Sequence, residues 1–126
     1  MNDIPTAVRI TEEGPREGFQ IEKGPIPTAR KVALIDALSQ TGIDHIQIVS
    51  FVNPKAVPGM ADAEDVVRGI KTKAGVAYTA LWLNKKGFER ALGFSGRLVA
   101  FDDGMLLGEL LRRAAVLVAQ REFLGS

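Results

Sequence analysis

Four times along its 126 residues this chain sets a β-branched or apolar run ahead of a glycine- or proline-marked stretch and a segment with helical spacing. That alternation constrains the fold tightly, because strands that alternate with helices pair in parallel through right-handed crossovers. The runs fall at 7–13, 45–51, 76–82 and 97–101. The first carries Val8 and Ile10 and stops at Gly14-Pro15, and the second carries Ile46, Ile48 and Val49. Between them Thr28 is placed to cap a helix through Val32, Leu34, Ile35 and Leu38, which Gly42 ends. Asp62 is placed to cap a second helix through Val66, Val67 and Ile70, and Asn84 opens a third through Phe88, Ala91 and Leu92. A last helix is expected over 105–123, with Leu107, Leu110, Leu111, Ala114 and Val118 on one face.

Four βα units in a single domain of 126 residues amount to half of the roughly 250 residues that close a (β/α)₈ barrel. The fold class read from the pattern is therefore α/β with a parallel sheet, either a small open sheet or about half of a TIM barrel. Hydrophobic residues at 46% and charged residues at 25% allow a core to be buried. The chain has no cysteine, which excludes a disulfide framework, a thiolate metal site and a cysteine nucleophile. Its one histidine, His45, excludes a paired-histidine zinc site within the chain, so a metal would need oxygen ligands. Sixteen basic residues against fifteen acidic ones give a net charge of +1 and no overall reason to expect nucleic acid or a membrane surface as partner. The first residues lack the apolar stretch of a secretory signal, and the longest late apolar run, 114–119, is far short of the ~20 residues that span a bilayer. A reduced cytoplasm is the expected location.

In parallel α/β folds ligands bind at the carboxyl ends of strands, so the stretches after the first two runs are where chemistry is expected. The first reads Glu13-Gly14-Pro15-Arg16-Glu17-Gly18-Phe19-Gln20, a guanidinium beside a carboxylate between two glycines. The second runs from Ser50 to Asp62 and supplies Lys55 on a proline-stiffened loop. Taken alone, Arg16 and Glu17 are equally compatible with a solvated pair worth about 0–1 kcal/mol.

At these two loops the chain resembles the hydroxymethylglutaryl-CoA lyases, members of a metal-dependent barrel superfamily that also includes isopropylmalate and homocitrate synthases and some aldolases. The family's first loop, G-P-R-D-G-L-Q followed by E-K, is matched by Gly14 to Gln20 with Glu22 and Lys23. Its second, S-F-V-S-P-K-x-V-P-x-M-A-D, is matched by Ser50 to Asp62, and the helix between them, K-x-x-L-I-D-x-L-S-x-x-G, by Lys31 to Gly42. Two long motifs in the right order are far more specific than a lone glycine pattern. The resemblance is strongest over residues 7–92 and gives way to a divergent tail at 93–126.

The resemblance implies a TIM-barrel enzyme that cleaves a 3-hydroxy-3-methylglutaryl-CoA type thioester to acetoacetate and acetyl-CoA. It implies a divalent metal, magnesium or manganese, together with a base for the hydroxyl proton and a cation for the enolate. By motif position Arg16 would stabilise the enolate and Glu17 would ligate the metal. Gln20 and Gln47 would bind the acyl-CoA substrate, and Lys23 and Lys55 would meet its phosphates.

The chain departs from the family pattern in ways that bear on activity. Glu17 stands where the family has aspartate, and Gln47 where it has glutamate, which removes a negative charge and a proton acceptor. The His-x-His pair, the asparagine and the cysteine that the family carries in its later half have no counterpart here. The expectation is a truncated lyase-like chain, a lyase by family but inactive alone, with an incomplete and weak metal site. Two alternatives are a non-catalytic half-barrel that binds acyl-CoA or a partner subunit, and a superfamily member with a different substrate. Open sheet edges would favour a homodimer or a partner chain that completes the barrel.

Overall fold

The computed structural model describes residues 4–101, and at their centre lies a three-stranded parallel sheet. Its strands run in the order β1 (His45–Phe51), β2 (Ala77–Trp82) and β3 (Val99–Phe101). Gly42 (φ +92°) and Gly75 (φ +87°) turn the chain shortly before β1 and β2, in the left-handed region that a residue with a Cβ rarely adopts. Among the described residues four helices accompany the sheet: α1 (Gly14–Ile21), α2 (Thr28–Leu38), α3 (Ala63–Gly69) and α4 (Lys85–Leu92), with a 3₁₀ turn at Pro58–Met60. Among the described residues no helix is long and apolar enough to cross a membrane.

The expected parallel α/β architecture is present, but several elements differ from the sequence reading. The run at 7–13 forms no strand; it contributes one parallel bridge, between Glu12 and Ile46. The Glu12 N–H donates to the His45 carbonyl at 3.0 Å and the Gln47 N–H donates to the Glu12 carbonyl at 2.9 Å. Upstream of that bridge Val8 and Ile10 stay 80% and 69% exposed. A buried aliphatic side chain is worth about 1.5–3 kcal/mol, and these two gain nothing that would hold a strand in place. Residues 14–21, read as loop, are helical. The helix from Thr28 ends at Leu38 rather than running to Gly42, and the fourth run pairs only over Val99–Phe101. The helix expected over 105–123 lies outside the described residues.

β1 contains a bulge. Its register with β2 pairs Gln47 with Thr79 and then Val49 with Ala80, so Ile48 is one residue too many for its partner. Strand side chains alternate between faces, and an extra residue reverses the alternation beyond it. Ser50, in register with Leu81, therefore joins the face of Gln47 and Thr79, and Phe51, in register with Trp82, goes to the other. That other face is apolar. Ile46, Phe51, Tyr78, Ala80 and Trp82 join one buried cluster with Ile35 of α2, Val66 and Val67 of α3 and Ala91 of α4. Phe51 stacks on Phe94 with ring centroids 6.1 Å apart, and Trp82 tilts against Phe88 at 4.8 Å.

Candidate functional site

The helix α1 begins directly after the Glu12 bridge, with Pro15 in its first turn, where a missing N–H costs nothing. This delivers Arg16 against β1. Its Nε donates to Gln47 Oε1 at 2.6 Å and its Nη2 to Glu13 Oε2 at 3.1 Å, while Nη1 lies 3.6 Å from Glu17 Oε1. Arg16 is 8% exposed and Gln47 1%. The two hydrogen bonds use two of the five guanidinium donors.

One turn further along α1, Gln20 reaches the same strand. Its Oε1 accepts from Ser50 Oγ at 3.2 Å, a contact that the bulge at Ile48 makes available. Arg16 and Gln20 are four residues apart and so share a helix face, as the i,i+4 rule requires. The face of β1 and β2 beneath them is polar: Gln47, Ser50 and Thr79 are buried, and His45 Nε2 lies 3.3 Å from Thr79 Oγ1.

Beside this cluster a cavity of about 510 Å³ opens between the end of α1 and the turn at 58–62, lined by Gln20, Lys23, Lys31, Gly59 and Asp62 among others. Lys31 is buried. Its Nζ donates to the Gly59 carbonyl at 2.6 Å and to Asp62 Oδ1 at 2.7 Å, while Thr28 Oγ1 donates to Asp62 Oδ2 at 2.6 Å. Burial pushes the Asp62 carboxyl up, but the hydrogen bonds from Lys31 and Thr28 and the Lys31 charge outweigh it and hold the group below its usual range.

Of the residues singled out in the sequence, Arg16, Glu17, Gln20 and Gln47 lie together where α1 packs on β1, and Lys23 lines the adjoining cavity. Lys55 does not join them. It lines a second cavity, of about 390 Å³, with Asn53, Asn84, Lys86 and Arg90. There Arg90 is engaged by both oxygens of Glu64, at 2.6 and 3.0 Å, and by the Val52 carbonyl at 2.9 Å. The Arg90 hydrogen bonds hold the Glu64 carboxyl below its usual range against the opposing effect of burial.

A resident divalent metal does not fit the described residues. No group of three or more His, Cys, Asp or Glu side chains that could hold one is found among them. Glu17 is 63% exposed in its side chain and lies next to a guanidinium, whose charge opposes a second cation.

Sequence reasoning missed Glu13, Ser50, Lys31 and the true role of two presumed caps. Glu13 is legible in principle, since it stands three residues before Arg16. Thr28 and Asp62 make no capping hydrogen bonds; their side chains bond each other instead.

No family model matches the chain. It is 51% identical over 90 residues to the 3-hydroxy-3-isohexenylglutaryl-CoA/hydroxy-methylglutaryl-CoA lyase of Pseudomonas aeruginosa, which is 71% of this chain and 30% of that protein. Among solved structures it matches the HMG-CoA lyase of Bacillus subtilis with a TM-score of 0.71 and 44% identity, covering 78% of this chain and 33% of that one. An HMG-CoA lyase of Acinetobacter baumannii, solved in complex with coenzyme A and 3-methylmalate, gives a TM-score of 0.67 at 41% identity, over 68% of this chain and 28% of that one. The chain thus spans about 30% of the length of the curated relative it matches.

Proposed function

Since the chain belongs to the hydroxymethylglutaryl-CoA lyase family and forms part of its TIM barrel, we propose that it carries the enolate-stabilising corner of a carbon–carbon lyase site. The substrate in this reading is a 3-hydroxy-3-methylglutaryl-CoA type thioester. Loss of the tertiary hydroxyl proton lets that carbon become the ketone of acetoacetate, and the electrons of the breaking carbon–carbon bond pass to the thioester as an enolate. Protonation of the enolate gives acetyl-CoA. Arg16 is the residue for the enolate oxygen, because its buried guanidinium keeps donors beyond those given to Gln47 and Glu13. That geometry is the observation which carries the proposal.

Gln20 and Lys23, on the wall of the larger cavity, are proposed to receive the acyl-CoA, a reading supported by the coenzyme A complex of the Acinetobacter relative. Gln47 acts on the substrate through Arg16, and Lys55, in the other cavity, is left as a contact for a distal phosphate. Glu17 is a metal ligand only if further ligands come from outside the described residues, and no step is assigned to a metal here. The exposed Val8 and Ile10 beside the single Glu12 bridge support a partner chain, or a second copy, that completes the barrel. The cytoplasmic location expected from the cysteine-free sequence belongs to the same proposal.

The test is a pair of assays for acetyl-CoA release from 3-hydroxy-3-methylglutaryl-CoA. The chain alone should release none, whereas a P. aeruginosa lyase in which the matching segment is replaced by this chain's should turn over. A folded chimera without turnover would overturn the proposal.

A further inference from the structure

Lysine is almost never fully buried unless paired, and Lys31 is 4% exposed on a helix whose other face meets water. Two segments converge on its ammonium from outside its own helix. From the turn come the Gly59 carbonyl and Asp62 Oδ1, from α1 comes the Phe19 ring, whose centroid lies 5.6 Å from Nζ, and α2 supplies Lys31 itself. Thr28, one turn earlier on α2, takes the other oxygen of Asp62. The turn also rests on α1 through the backbone, since a Cβ at Gly59 would collide with the Phe19 carbonyl oxygen. Lys31, Gly59, Asp62 and Gln20 all line the 510 Å³ cavity.

We propose that Lys31 is a positioning residue: its ammonium fixes the turn at 58–62 against α1 and α2 and so sets the shape of the cavity that takes coenzyme A. The part about coenzyme A rests on the function proposed above. A purely structural ion pair would behave differently. Replacing a buried pair by uncharged groups of similar volume is often neutral or stabilising, so fold stability and cavity shape separate in one variant.

The experiment compares the wild-type chain with Lys31→Met/Asp62→Asn, which removes both charges, and with Lys31→Arg, which keeps the cation but alters its reach. Thermal unfolding identifies a temperature at which all three are folded. At that temperature, amide exchange is followed at Met60 and Ala61, whose N–H groups bond the Val57 and Pro58 carbonyls, and coenzyme A is titrated by calorimetry. The double variant should exchange faster at both amides and bind coenzyme A about tenfold more weakly, with Lys31→Arg between it and the wild type. Unchanged exchange at Met60 and Ala61 in the folded double variant overturns the positioning role. A wild-type chain that fails to bind coenzyme A overturns the acyl-CoA reading instead, and the exchange result still decides the role of Lys31.

Discussion

Arg16 Nε donates to Gln47 Oε1 over 2.6 Å, joining two buried side chains 31 positions apart. The glutamine satisfies the guanidinium without neutralising it, whereas a glutamate there would form an ion pair and draw the positive charge toward the strand. The neutralising carboxylates, Glu13 and Glu17, stand on more exposed ground, with side chains 41% and 63% accessible. Gln47→Leu should therefore leave a charged donor unpaired and cost about 1–3 kcal/mol of stability. Urea unfolding with an unchanged slope checks this, and a loss below about 0.5 kcal/mol would mean that the contact is dispensable.

Arg16→Lys keeps the charge but loses the planar fork that meets Gln47 and Glu13 together. In the chimeric lyase the expected outcome is a fall in kcat of about 10²–10³, typical of losing one preorganised donor, with KM changed far less. Steady-state acetyl-CoA release measures both. Equal loss in KM alone would place Arg16 in ground-state binding.

Asp62 and Glu64 both have their carboxyl pKa lowered by folding, against ordinary values of 3.8 and 4.5. A depressed folded-state pKa gives stability that is present above the unfolded value and is lost as pH falls through the folded one. Stability should hold from neutrality to about pH 5 and then decline with further acid. The variant Asp62→Asn/Glu64→Gln should be less stable at pH 7 and show a shallower acid decline. Denaturation midpoints measured from pH 7 to pH 2 test it, and parallel curves would remove these two groups as the cause.

The helices α2, α3 and α4 were legible because their apolar positions repeat at helical spacing, β1 because it is rich in β-branched residues, and β2 because an apolar run follows Gly75. The Asn84 cap was legible too: its Oδ1 accepts from the Gly87 N–H at 2.8 Å. Thr28 and Asp62 look the same as Asn84 to a local rule, yet their partners lie 34 positions away, and nothing local distinguishes a cap from a tertiary acceptor. The helix α1 was hidden by its two glycines and a proline, residues of poor helix propensity. It is anchored by Arg16 on Gln47 and Gln20 on Ser50, contacts that propensity cannot anticipate. The stretch at 7–13 failed in the opposite sense, with a strand-like alternation that finds one neighbour at one residue. The motif that carries Arg16 was legible as chemistry before its geometry was; the link from Lys31 to the far turn was not, because a lysine in a helix reads as solvated.

The extra residue in β1 acts as a parity bit for the strand. Every side chain before Ile48 is assigned to its face by counting in twos, and every one after it by the opposite count. Absorbing that residue into the ladder, with Ile48 opposite Ala80, would leave the strand's length almost unchanged but exchange what its two sides present beyond it. Ser50 would turn away from Gln20 into the oily layer, and Phe51 would turn toward the Arg16 side. One position that touches no ligand thus decides whether the upper half of the strand belongs to the site or to the core.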